Sequence, residues 1–100
     1  RAEKQQAWEE KQRRWREGQR AFVDKLEGSA DYYRGKLDKH RDNLENLLER
    51  YERSGASKRA QIEEWIEETR QAIDDIEAKV SDIMAKVQEV LDKLEESDNR

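Results

Sequence analysis

The side chains here whose types and spacing suit chemistry are one histidine, a crowd of carboxylates and a repeating set of aromatic rings. Glu63, Glu64, Glu67, Glu68, Asp74, Asp75 and Glu77 fall within one short stretch. Paired carboxylates serve acid–base or two-metal chemistry, but a di-iron bundle places Glu-x-x-His motifs on facing helices, and this sequence has none. The acids therefore read as a solvated face. No cysteine is present, which removes thiolate ligands, cysteine nucleophiles and disulfides. There is no Ser-His-Asp order, glycine-rich phosphate loop or zinc-ligand spacing. The chain is not expected to be an enzyme, and no catalytic, metal or cofactor residue is assigned.

His40 remains, the only histidine. It falls in a hydrophobic repeat, opposite Ile73 and one layer from Thr69. One reading is a pH switch, since a desolvated imidazole resists taking up a proton. The preferred reading is a polar seam layer of His40 and Thr69, joined by a hydrogen bond, that fixes the pairing of two helices.

Aromatic residues give the other candidate contacts. Trp8, Trp15 and Phe22 recur every seven residues, which stacks them in one column along a helix. Residues 1 to 20 also carry seven basic and four acidic side chains, in a chain whose net charge is −4. Tryptophan and arginine dominate interface energetics, so Trp8, Trp15, Arg16 and Phe22 are the expected partner-binding residues. The plainer alternative is that the rings cover the end of a bundle or pack on chain upstream of Arg1. A second group, Arg50, Arg53, Lys58 and Arg59, forms a basic tip around Ser54 and Ser57. Such a tip suits phosphate. Against that, residues from Ser57 onward hold seven basic and thirteen acidic side chains and repel it.

The elements that must position these groups follow from periodicity. Ile62, Ile66, Thr69, Ile73, Ile76, Val80, Ile83, Val87, Val90 and Leu94 recur in steps of four and three. A spacing averaging 3.5 keeps one stripe facing a partner helix. A matching stripe runs through Val23, Leu26, Ala30, Tyr33, Leu37, His40, Leu44, Leu47 and Tyr51. It keeps phase across Gly28 and Ser29, so one continuous helix is expected there. Ser54 to Ser57 form the turn, with Gly55 left-handed and Ser57 as the next N-cap.

Two long helices joined by so short a turn fold back antiparallel. Setting Tyr51 against Ile62 makes opposing residue numbers sum to 113. The same sum pairs Leu47 with Ile66, Leu44 with Thr69, Leu37 with Ile76 and Val23 with Val90, without a slip. Gln19 opposite Leu94 is where the seam should fray.

The expected fold is thus all-α, an antiparallel two-helix coiled-coil hairpin. Its parts are an overhanging basic and aromatic arm (1–15), helix 1 (16–53), the turn (54–57), helix 2 (58–97) and a frayed tail (98–100). Trp65, Ala72, Met84, Leu91, Phe22 and Leu48 widen the seam's edges, which suggests dimerisation into a four-helix bundle.

Composition agrees. With 33% hydrophobic and 46% charged residues, the chain cannot build a thick core. No apolar run approaches the roughly 18 residues of a membrane span. A start at Arg1 suggests a fragment or processed product, and a cytoplasmic setting is expected ahead of a secreted one. The expected function is a structural and protein-interaction module, partnered by a second copy or another protein through the N-terminal arm. The alternative is accessory binding of nucleic acid or an anionic membrane surface through tip and arm; neither is an expected partner.

Overall fold

The computed structural model describes residues 2–99. Arg1 and Arg100, which the expected arm and tail included, lie outside the described residues. Two helices account for nearly all the rest: α1 spans Ala2–Arg53 and α2 spans Ala56–Asp98. They pack side by side into a rod of 82 × 16 × 14 Å. At 1.5 Å per residue the 52 residues of α1 make a helix of about 78 Å, so α1 alone sets the length. The fold is the expected all-α hairpin.

The seam follows the two heptads. Val23 is buried with Val87, Val90 and Leu94 towards the open end. Leu47 is buried with Ile62 and Ile66 near the tip, where Leu44 and Tyr51 pack against them. Cross-helix bonds report the same register. The Tyr51 hydroxyl donates to Glu63 Oε1 at 2.8 Å and Asn43 Nδ2 donates to Thr69 Oγ1 at 3.5 Å, while Arg41 reaches further along α2 to Glu77 Oε1 at 3.3 Å. Leu94 is buried, so the seam does not fray at that layer. Instead contact runs on to Arg16, whose Nε lies 3.5 Å from Asp98 Oδ1.

Between the two clusters the seam is thinner. Ile76, Val80 and Ile83 are only half-buried. Register sets Ala30 opposite Ile83, and a methyl group leaves that aliphatic side chain partly uncovered. α1 runs without interruption through Gly28 and Gly35, as its unbroken heptad required.

The turn differs from expectation. It holds Ser54 and Gly55 only, because α2 begins at Ala56 rather than after Ser57. Gly55 is extended, with φ −78° and ψ 169°, and is not left-handed. A left-handed residue serves to satisfy the last carbonyls of a helix, and here side chains do that. Ser54 Oγ donates to the Arg50 carbonyl at 2.6 Å, and Arg59 Nε donates to the Tyr51 carbonyl at 3.1 Å. Ser57 is therefore inside α2 and caps nothing. Gly55 occupies the N-cap, its carbonyl accepting from the Lys58 and Arg59 N–H groups at 3.1 and 3.0 Å. At the other end α2 includes Asp98, the first residue of the expected frayed tail.

Candidate interaction surface

The overhang is the first feature that faces outward. Since Arg16 meets Asp98 at the end of α2, residues Ala2 to Trp15 of α1 extend past it as about 21 Å of helix. Helices of that length are marginal in water without support. Local pairs supply some: Arg13 and Arg14 both bond Glu10, at 2.6 and 3.2 Å. The Arg13 bond, foremost, holds the Glu10 carboxyl below its ordinary value.

Trp8 is 61% exposed, and Trp15 and Phe22 are each 40% exposed. Trp8 and Trp15 line an open cleft of about 840 Å³ with Gln12, Arg16 and, from α2, Lys93 and Glu96. Arg16 does not belong to the column of rings. It sits at the end of the seam, half-buried beside Asp98, where its Nε lacks a hydrogen-bond partner.

The basic tip divides in two. Arg59 is turned inward, its guanidinium 5.0 Å from the centre of the Tyr51 ring while it bonds the α1 carbonyls. It closes the helix end with these bonds while the residue stays exposed. Arg50, Arg53 and Lys58 line a second cleft of about 420 Å³, floored by Ile62 and Trp65. Across it the Arg50 guanidinium stands 5.6 Å from the Trp65 ring centre. This cation–π contact ties the two helices together on that flank.

His40 and Thr69 both lie along the seam, but the hydrogen bond expected between them is replaced by others. Thr69 is buried, but its hydroxyl donates to the Trp65 carbonyl at 2.8 Å and accepts from Asn43 Nδ2 at 3.5 Å. Asn43, not His40, is its cross-helix partner. Asn43 lies beside the seam on the flank and reaches in, whereas His40 is half-buried in the seam itself.

Among the described residues no group of three or more His, Cys, Asp or Glu side chains could hold a metal ion. No described helix is long and apolar enough to cross a membrane. What the geometry does bring together is arm and tip. Trp8, Trp15 and Lys93 share one cleft and Arg50, Arg53, Lys58 and Trp65 the other. Trp8, Trp15, Phe22 and Arg50 belong to one seven-residue series of α1, and Lys58, Trp65 and Lys93 to one of α2. Both clefts therefore open on the same flank of the rod.

Comparison with known proteins finds no matching family model, no matching curated protein and no matching solved structure.

Proposed function

We propose that this chain is a structural and protein-interaction module: a rigid antiparallel hairpin that presents its N-terminal aromatic and basic arm to a second copy or to another protein. The observation that carries the reading is the overhang itself, a helix continued for about four turns beyond its partner with Trp8 and Trp15 open to solvent. Rings of that size dominate contact energetics when covered. A helix left without a mate gains most from lying against another molecule.

Sedimentation velocity over a range of concentrations tests self-association. The mass of the native chain rises with concentration, and Trp8→Ala with Trp15→Ala removes the rise while far-UV circular dichroism stays helical. A native chain that remains a monomer at every concentration leaves a foreign protein as the arm's only partner. A double variant that associates as well as the native chain rejects the arm.

A second reading rests on the tip cleft, which Arg50, Arg53 and Lys58 line with no carboxylate on its wall, Arg53 pairing with Glu49 beside it at 3.5 Å. It is accessory binding of nucleic acid or an anionic membrane surface. That reading requires salt-sensitive retention on a phosphate-bearing matrix.

A further inference from the structure

Once the register is fixed, charges that look mixed along the chain separate by column. On the outer side of the flank, α1 carries Lys4, Lys11, Lys25, Lys39 and Arg53 at seven-residue multiples. The neighbouring α1 column, which holds the arm's rings, continues to Lys36 and Arg50. The α2 column facing it holds Lys58, Lys79, Lys86 and Lys93 beside Trp65 and Ala72. Among the described residues these three columns contain eleven cations and no carboxylate, although a quarter of the chain is acidic. The next α2 column is the reverse: Glu68, Asp75, Asp82, Glu89 and Glu96 follow one another at every seventh residue.

Contacts seat these columns side by side. Arg50 meets Trp65 at the tip and Lys93 joins the tryptophans at the open end, while at mid-rod Lys79 crosses to the seam residue Tyr33, 4.7 Å from its ring centre. Lys86 and Lys93 reach Glu89 at 3.3 and 3.4 Å across the border between the last two columns. Lys86 foremost, then Lys93, hold the Glu89 carboxyl below its ordinary value. Exposed pairs of this kind contribute little and exchange readily for a better partner.

We propose that this flank is the docking groove for a third helix, supplied by a partner protein. That helix has a heptad repeat, with one column of carboxylates over Lys36, Lys79 and Lys86 and one basic column beside the α2 acids. The proposal rests on the reading of the chain as an interaction module and names the chemistry of the partner.

Charge distinguishes three occupants of such a groove. A second copy docked flank to flank with tips together sets Lys36 over Lys79 of its mate; with tips opposed it sets the basic α1 columns over each other. Like charges so placed oppose docking. A phosphate backbone or an anionic membrane carries one sign only and meets the α2 acids as well as the lysines. Parallel columns of opposite sign, both repeating every seven residues, are matched by another helix of the same period. Trp65 and Ala72 at one end and Trp15 and Phe22 at the other give such a helix apolar footing.

The probe is a synthetic helical peptide of about 28 residues, four heptads. It carries leucine towards the groove, glutamate over the lysines and lysine beside the α2 acids. Titration against the native chain gives salt-sensitive binding. A scrambled peptide of the same composition does not bind. Lys36→Glu, Lys79→Glu and Lys86→Glu together weaken binding by roughly tenfold or more and confer binding of the charge-swapped peptide; their exposure keeps the hairpin folded, which a thermal melt confirms.

Asp75→Lys with Asp82→Lys separates the occupants. It weakens the peptide but tightens oligothymidylate or phosphatidylserine vesicles if those are what the flank takes. The proposal is overturned if the native chain ignores the peptide, binds it and its charge-swapped form alike, or binds the polyanion in its place. Sedimentation of the chain alone reports the arm separately, so the two can fail independently.

Discussion

Removing residues 1–14 will leave the hairpin folded. The first buried residue of α1 is Val23, and Val23, Ala30, Leu37 and Leu47 all survive the deletion, as do Arg16 and its contact with Asp98. Among residues 2–14, what is lost is exposed surface apart from half-buried Glu10 and Gln12. Changes confined to such surface alter stability by about 0.5 kcal/mol each way. For a chain of this size the melting temperature should then move by less than about 4 °C. The deletion removes 13 of the 95 helical residues, so total ellipticity per chain falls by about 14% if the arm is helical in solution.

Far-UV circular dichroism and thermal melts of both lengths, run at two concentrations, make the comparison. An arm that binds a second copy makes the melting temperature of the full chain depend on concentration, and that dependence vanishes in the shortened one. If the shortened chain melts more than about 8 °C lower at the lower concentration, the arm belongs to the core and the reasoning that made it free is wrong.

Three further outcomes follow from single contacts. Gly28→Ala and Gly35→Ala each raise stability by about 1 kcal/mol, because a methyl group at either position meets nothing within 4 Å; denaturant midpoints unchanged in both would contradict this. Thr69→Val should stabilise by roughly 0.5–1 kcal/mol. The Trp65 carbonyl keeps its helical N–H and exposed Asn43 turns to water, so a fall in melting temperature would show that the hydroxyl pair contributes more than it costs. Tyr51 is held above its ordinary value, chiefly by its hydrogen bond to Glu63. Stability from that bond is complete below the unfolded tyrosine value and is lost as pH rises through the folded one. Melts between about pH 9 and 11 should therefore fall less steeply for Tyr51→Phe, with Tyr32 and Tyr33 as a common background; equal slopes would remove the role.

Register was legible in the residues because two independent heptads had to agree on a single sum, and Tyr51 with Glu63 and Asn43 with Thr69 lie within one residue of it. The continuity of α1 through Gly28 was legible for the same reason. The turn was not, since whether Gly55 adopts a left-handed conformation depends on what else can reach the last carbonyls. Ser54 and Arg59 reach them only after the fold-back has formed. Asn43 was missed as the partner of Thr69 because it stands outside the stripe and arrives by the length of its side chain. The columned flank was hidden more deeply. Counted by segment, the lysines of α2 are outnumbered by its acids; they form a surface only where the α1 columns are laid against them.

The rod has a metric consequence. Whatever is fastened beside Ser54 and whatever is fastened beside Ala2 are held apart by nearly the full 82 Å, in a body only 16 Å across. Inserting seven residues into each helix at the same height would lengthen that gap by about 10 Å and return every opposing side chain to its mate. The same insertion in one helix alone would shift its layers out of step. Such a spacer can be graduated, one heptad pair at a time, without redesigning either end.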